Sequence, residues 1–363
     1  MSTVSGEFSE TILLQQQHMA DKMMLDDRIK QQFIPQNNVY RYLRSLQTAT
    51  LNSAFNTRAK KNYDVEISWM NACSTFDIED VSCAIGGDEL STNVEEYVLN
   101  NRFVKGFTVR DDVFRNNTYE TQEAIAKGLL RIDQQLSQDF AQYLVAQLNA
   151  FAGVTEVDDS APGIVTAGTT TTIQPALWIP SIMAYFARTQ IMNKFTAPAL
   201  ISGANLWESM YVAAANNANA DGKGDFILWN GMPIWFDLFN IETVNAPDYL
   251  TYMVSQGAVA IANKTWNPDT PYRSMSDIRY TMPSRFMDGI RYDVYYTNNC
   301  IQEGSDSDSD LDYGDLAEDH NSTVANNRDA LAHHWKVVLT ADMFNNPEGC
   351  TADNTGVLRF SNG

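Results

Sequence analysis

The apolar positions along the chain change their period, and each period predicts a different kind of element. Val65, Ile67 and Trp69 alternate with polar residues, which is typical of a half-buried strand. Between residues 120 and 150 the apolar residues instead recur every three or four positions, the spacing of one face of a helix. We therefore predict a helix over 120–150, about 45 Å long at ~1.5 Å per residue. Its core-facing residues are expected to be Ile125, Leu129, Ile132, Leu136, Phe140, Leu144 and Leu148.

Shorter periodic segments follow the long helix and predict a mixture of helices and strands. A hairpin is expected between 226 and 236, because Asn230-Gly231 supplies the positive φ values that a tight turn needs. Further helices are predicted over 175–194, 204–217 and, as a short one, 257–264. Further strands are predicted over 97–109, 199–202, 249–254, 290–296 and 335–340. Helices and strands mix without a βαβ repeat, which indicates an α+β fold.

The residues before the long helix are expected to reach away from the body of the protein. Residues 1–62 are rich in Gln and Asn and contain Pro35, which favours an N-terminal arm with short helices over a core element. Residues 63–94 combine a strand pattern with Gly86-Gly87 and predict an extended hairpin loop. No basic region leads into an apolar block at the N-terminus, so we expect a cytoplasmic product without a secretory signal.

Charge is unevenly distributed along the sequence. The chain has 25 Lys plus Arg against 45 Asp plus Glu, a formal charge of -20, which argues against nonspecific nucleic-acid binding by the whole surface. Residues 303–319 hold eight acids and no base, whereas residues 28–61 hold seven cations and no acid. We expect the cations to contact neighbouring subunits electrostatically, although a solvated arm would carry the same pattern. The seven are Arg28, Lys30, Arg41, Arg44, Arg58, Lys60 and Lys61.

The sequence predicts no catalytic, cofactor-binding or metal-binding residues. It contains no GxSxG, HExxH or GxxxxGK[ST] motif, and its four cysteines show no zinc spacing. The acidic run 303–319 suggests calcium, but a calcium loop starting at Asp308 would need Gly and Glu where Tyr313 and Asp319 stand. A solvated, dispensable surface loop is therefore expected there. His333 and His334 precede a strand, where neighbours point to opposite faces, so they are interpreted as ordinary histidines.

Several segments resemble, in their order, the major capsid proteins of tailed bacteriophages, which have the Hong Kong 97 capsid fold. Each segment is similar to a characteristic part of that fold, from the entry into the spine helix to the return strand of the peripheral domain. The segments are Phe103–Asp112, Pro198–Trp207, Asn230–Ile234, Gln256–Ala260 and Ala330–Leu339. The resemblance covers nearly the whole chain, and the order of the segments carries it.

The resemblance implies a division of the chain into known parts of that fold. Beyond the arm (1–62) and the extended hairpin loop (63–94), it implies a peripheral domain formed by 95–167 and 326–363, with the spine helix at 120–150. It implies an axial domain at 168–325 that carries the acidic loop 303–319. Some members of the family cross-link their subunits through Lys and Asn beside Glu, but no such triplet can be matched in this sequence.

A structural function follows from the same resemblance. The chain would assemble with itself into hexamers and pentamers, forming an icosahedral virion shell in the bacterial cytoplasm around a double-stranded DNA genome, without sequence-specific or membrane binding. Separate scaffold, portal and decoration proteins are further possible partners. Two alternatives stay open: a cellular nanocompartment shell of the same fold, and an extracellular glycan-binding or glycan-cleaving protein. Trp178, Trp207, Trp229 and Trp235 lie on apolar faces of predicted elements, which favours core positions over a sugar-binding surface.

Overall fold

A computed structural model describes most of the chain. The described residues are 22, 37–51, 64–69, 93–110, 121–155, 162–216, 226–229, 231–245, 250–268, 272–274, 277–301, 330–347 and 355–363. They form an α+β fold, as the sequence predicts.

Among the described residues, five α-helices and sixteen strands alternate along the chain. The helices are α1 (Asn38–Leu46), α2 (Thr121–Phe151), α3 (Ile182–Met192), α4 (Ala204–Asn216) and α5 (Leu238–Asn245). The strands of the first half are β1 (Thr50–Leu51), β2 (Asp64–Trp69), β3 (Asn93–Val98), β4 (Arg102–Arg110), β5 (Ile164–Ala167), β6 (Thr170–Ile173), β7 (Ala199–Ser202) and β8 (Phe226–Trp229). Those of the second half are β9 (Met232–Phe236), β10 (Thr251–Val254), β11 (Val259–Asn263), β12 (Tyr272–Ser274), β13 (Asp277–Pro283), β14 (Arg291–Ile301), β15 (Ala330–Asn345) and β16 (Val357–Asn362).

The strands form three sheets. The smallest has the order β1-β2-β3 and contains the base of the predicted hairpin loop, with Asp64 opposite Val98. The six-stranded sheet has the order β11-β15-β14-β13-β12, and β4 pairs with residues 332–340 of β15 on the side opposite β14. The seven-stranded sheet has the order β5-β6-β16-β10-β7-β9-β8. The predicted 226–236 hairpin forms its β8–β9 edge, and Gly231 in the turn has a φ of 86°.

The long helix α2 packs across the six-stranded sheet. All seven apolar residues of its predicted stripe are buried, each with an exposed fraction of 3% or less. They join a large apolar cluster that includes Tyr292, Trp335 and Val337 of β14 and β15. Burial of these side chains stabilises the body at about 25 cal/mol per Å² of apolar surface removed from water. A second apolar cluster lies under α3 and contains Phe186, Ile234 and Phe360.

Two local predictions differ from the structure. Residues 259–263 form strand β11 instead of a helix, because they pair antiparallel with 341–345 of β15 and four of the five are buried. Residues 38–46, assigned to an arm, form helix α1, which contributes Val39, Tyr42 and Leu43 to the main core at 0% exposure. The expectation that residues 1–62 lie outside the core is therefore wrong for this helix.

The sheets also divide the chain differently from the predicted domains. The strands β11 to β14, in the range assigned to the axial domain, lie in the six-stranded sheet because β11 and β14 pair with β15. The strand β16, assigned to the peripheral domain, lies in the seven-stranded sheet between β6 and β10. Backbone pairing between distant segments determines this division, and sequence order alone does not reveal it.

Candidate assembly surfaces

Helix α1 fixes where the N-terminal segment joins the body. Its amphipathic sequence buries Tyr40, Tyr42 and Leu43 while Arg41 and Arg44 remain exposed. The Asn37 side chain donates to the Phe286 carbonyl oxygen at 2.7 Å, and the Asn38 side chain donates to the Phe236 carbonyl oxygen at 2.9 Å. The segment is thus anchored to both the loop before β14 and the end of β9.

A buried carboxylate, Asp237, holds the N-terminus of α1 and that of α5 together. It is 0% exposed, and its carboxylate accepts the Val39 amide at 3.1 Å and the Asn240 amide at 3.0 Å. Both amides belong to first turns of helices, which lack partners within their own helix. Burial raises the pKa of Asp237, while these hydrogen bonds lower it in part.

A second buried carboxylate, Asp133, connects α2 to the loop before β14. It accepts hydrogen bonds from Ser284 Oγ at 2.7 Å, from the Arg285 amide at 2.7 Å and from Tyr292 Oη at 2.6 Å. The Tyr40 hydroxyl of α1 donates to the carbonyl oxygen of Asp288 in the same loop. Burial raises the pKa of Asp133 because it penalises the ionised form. Together, Asp133 and Asp237 link helix α2, the loop before β14 and the N-terminal segment.

Of the seven cations predicted to contact neighbouring subunits, two belong to residues that the structure describes. Arg41 and Arg44 are exposed on α1, and Arg44 donates to the Gln47 side chain at 3.0 Å. Arg28, Lys30, Arg58, Lys60 and Lys61 lie outside the described residues, as does the acidic loop 303–319. The structure therefore places a cationic face at the point where the N-terminal segment enters the core.

The β2–β3 hairpin has one face on the body and one face outward. On the inner face Trp69 is buried, and Tyr97 stacks on Phe344 of β15 with ring centroids 4.4 Å apart. The outward face has two valines that are more than half exposed, Val94 at 56% and Val98 at 52%. Sequence alternation predicted the inner face of β2, but the exposed valines of β3 were not identified.

The outward face of this hairpin is also acidic. Glu66 lies directly opposite Glu96 across the β2–β3 ladder, and Asp64 lies two residues from Glu66 on the same face. Like charges placed directly opposite each other destabilise an isolated hairpin. This outward face therefore combines two exposed valines with acids that lie beside the Lys264 ammonium.

The histidines and carboxylates of the described residues do not gather into a metal-binding cluster. No group of three or more His, Cys, Asp or Glu side chains could hold a metal ion in the described ranges. His333 pairs with Tyr296 Oη at 2.7 Å, and His334 pairs with Thr108 Oγ1 at 2.8 Å, on neighbouring strands. In the part of the chain that the structure describes, no helix is long and apolar enough to cross a membrane.

The four tryptophans considered as a sugar-binding surface are distributed over two apolar clusters. Trp178 is 6% exposed beneath α3, and Trp207 and Trp229 pack against the same cluster. Trp235 packs on the main core on the other side of the seven-stranded sheet. These side chains do not form a single exposed aromatic platform.

Comparison with known proteins gave matches to solved structures only. No protein-family model and no curated protein matches the sequence. A protein of Mycobacterium phage Che8 is 13% identical, with a TM-score of 0.40 over 86% of this chain and 92% of its own. The capsid of the cyanophage P-SCSP1u is 10% identical, with a TM-score of 0.42 over 85% and 86% of the two chains. The SrpI encapsulin of Synechococcus elongatus is 11% identical, with a TM-score of 0.39 over 84% of each chain. Because these TM-scores lie below 0.5, we base the proposal that follows on the geometry of this chain.

Proposed function

We propose that this protein is a major capsid protein, the structural subunit of an icosahedral phage head shell. The observation that carries the proposal is the β2–β3 hairpin, whose outer face exposes Val94 and Val98 while its inner face is anchored to the body. A contact of this kind with a neighbouring subunit would bury both valines. Val94 and Val98 flank Glu96 on this face, so the contact would bury two apolar side chains beside a charged one, the mixed composition that protein interfaces have.

The arrangement of the body supports the same function. A spine helix of 31 residues, about 46 Å long at ~1.5 Å per residue, lies on a sheet and connects the hairpin region to a second sheet. A shell subunit needs several separate contact surfaces on a rigid frame. The hairpin, the cationic face of α1 and the edges of the seven-stranded sheet are three such surfaces.

Electrostatic attraction determines which surfaces of two neighbouring copies come together. Cations at residues 28–61 on one copy and the acidic outward face of the hairpin on another have opposite charge, so the two surfaces attract. Attraction between such surfaces steers association and sets register more than it sets affinity. The remaining negative charge keeps the shell from adhering to a packaged double-stranded DNA genome, which is enclosed without sequence-specific binding.

The proposed assembly consists of hexamers and pentamers formed in the bacterial cytoplasm, with scaffold, portal and decoration proteins as separate partners. Light scattering across a concentration series of the purified 40.7 kDa chain tests the proposal. Growth to a discrete large particle under assembly conditions is expected. A monomer that persists at high concentration under those conditions would contradict the proposal.

A further inference from the structure

The face of the six-stranded sheet that points away from α2 is cationic. Phe103 and Phe107 of β4 contact α2, so the residues between them and their cross-strand partners lie on the opposite face. The hydrogen bond between Thr108 and His334, 2.8 Å long, joins two residues of this opposite face. Five cations against two acids give the described residues of this face a net charge of +3, on a chain whose total is -20. The cations are Arg102, Arg110, Arg279, Arg291 and Lys336, and the acids are Asp277 and Asp293.

The exposed cations of this face follow the strand register. Lys336 and Arg279 are both exposed and lie on either side of Tyr295, in one row across β15, β14 and β13. The Arg279 guanidinium lies 5.7 Å from the centre of the Tyr295 ring. Asp277 pairs with Arg279 at 3.6 Å, and both side chains remain more than 40% exposed. Arg102 is exposed at one end of the same face. Exposed cations arranged in this way form a positive surface that attracts an anionic partner.

The acidic loop is attached to this same sheet. Residues 302–329, which include the loop and lie outside the described residues, connect β14 to β15, and Ile301 pairs with Ala330 at the end of that ladder. Lys336 lies six residues from Ala330, about 20 Å at ~3.4 Å per residue. The nine residues from Ile301 to Asp310, in the middle of the loop, span up to about 31 Å. The acidic loop is therefore long enough to reach the exposed cations.

We infer that the acidic loop 303–319 binds the cationic face of its own chain, with its carboxylates against Arg102, Arg279 and Lys336. Opposite charge favours this occupant, because the loop has eight acids and no base. Attachment of both ends to the sheet favours the same chain, since a short tether gives a much higher effective concentration than a separate partner has. The loop then covers a cationic surface that nucleic acid would otherwise bind. This bound loop replaces the solvated loop expected from the sequence, and the inference does not depend on the proposed function.

Carbodiimide cross-linking of the wild-type chain tests the contact, because it joins a carboxylate to an amine that touches it. Lys336 should link to acids of the loop at low salt, with a yield about tenfold above that of Lys194, an exposed lysine outside this sheet. The pair Lys105–Asp139, 2.8 Å apart on the α2 side, is the internal control and should link in every sample. Equal yields at Lys336 and Lys194 are the result of a solvated loop and would overturn the inference.

Isotope labelling distinguishes binding within one chain from binding between chains. Nitrogen-15-labelled and unlabelled chains are mixed as dilute subunits before cross-linking. Links between Lys336 and the loop should join fragments of the same isotope. Links that join a labelled fragment to an unlabelled one would assign the loop to a neighbouring copy and contradict the inference.

Binding of a labelled DNA duplex at low salt provides a second measurement. Deletion of residues 305–315 uncovers the cationic face, so this variant should bind the duplex about tenfold more tightly than the wild type does. Adding Lys336→Gln and Arg279→Gln to the deletion should remove the gain. Adding Arg131→Gln and Arg188→Gln, exposed cations outside this face, should preserve it. Duplex binding that the deletion leaves unchanged, or a gain that persists without Lys336 and Arg279, would show that the loop does not cover this face.

Discussion

At the scale of single residues, the body depends on buried carboxylates whose partners are far apart in sequence. Asp133 on α2 accepts from Ser284 and Tyr292, and Asp237 accepts the Val39 amide. Removing one partner from such a site leaves a buried polar group without its hydrogen bonds, at a cost of about 1–3 kcal/mol for each unsatisfied group. Nothing in the local sequence distinguishes these aspartates from surface aspartates, because their partners lie up to 198 residues away. These two aspartates therefore carry no signal in the local sequence that predicts their burial.

The pH dependence of folding tests the environment of Asp133. Its pKa is raised in the folded state above the ordinary value of 3.8, so the folded state binds this proton more tightly than the unfolded state does. The resulting stabilisation is complete below pH 3.8 and is lost as pH rises through the folded-state pKa. We therefore expect the free energy of unfolding of the wild type to rise relative to that of Asp133→Asn as pH falls from 7 toward 4.

Urea unfolding at several pH values measures this difference. Asp139→Asn is the control on the same helix, because Asp139 is partly exposed and pairs with Lys105 at the surface. For Asp139→Asn, the difference in free energy of unfolding from the wild type should not increase as pH falls. A difference between wild type and Asp133→Asn that stays constant from pH 7 to 4 would show that burial does not dominate at this site.

At the scale of elements, the close approach of α2 to β4 depends on one glycine. A Cβ placed on Gly128 would lie 2.5 Å from the ring of Phe107, which stacks on Trp335 at a centroid distance of 5.0 Å. The helix therefore has a residue of low helix propensity where the sheet leaves no room for a side chain.

Gly128→Ala should destabilise the protein despite its better helix propensity. The propensity gain is about 1 kcal/mol and the overpacking cost is of order 1–3 kcal/mol, so a net loss of up to about 2 kcal/mol is expected. In a Phe107→Ala background the clash is absent, and the same change should be neutral or stabilising. Denaturant unfolding of the four proteins measures the coupling, and a loss of equal size in both backgrounds would exclude the proposed contact.

The sequence predicts those elements whose conformation is determined by residues close together in the chain. The stripe of α2 and the Asn-Gly turn of β8–β9 are encoded within a few residues, and the structure has both. The strand β11 has only five residues, and its conformation is decided by pairing with β15 about 80 residues away. Helix α1 has a strong apolar face, but the arm interpretation depends on the Gln and Asn content of residues 1–62 and on Pro35. Its burial depends on distant partners such as Asp237 and Phe286.

At the scale of the whole molecule, opposite charges are separated between the N-terminal segment and the rest of the chain. The seven cations of residues 28–61 leave an excess of about 27 negative charges elsewhere, from -20 minus +7. Arg41 and Arg44 are exposed on a helix whose other face is buried, so these charges can change without loss of core contacts.

Replacing Arg41, Arg44, Arg58 and Lys60 by Gln should preserve the fold, slow assembly and flatten the dependence of assembly on salt. Exposed charges lose influence beyond a Debye length of ~10 Å at 0.1 M salt, so the wild type should assemble more slowly as salt rises. Light-scattering kinetics over a salt series measure this, with Arg131→Gln and Arg188→Gln as exposed control changes. Identical salt dependence in the variant and the wild type would rule out an electrostatic role for the segment.

Electron microscopy of the purified, concentrated protein tests the capsid proposal most directly. Uniform polyhedral particles, or rings of five and six subunits, are predicted. At higher resolution, the outer face of the β2–β3 hairpin should lie against a neighbouring subunit, with Val94 and Val98 buried. A field of single subunits under all assembly conditions, or particles in which those two valines face solvent, would contradict the account.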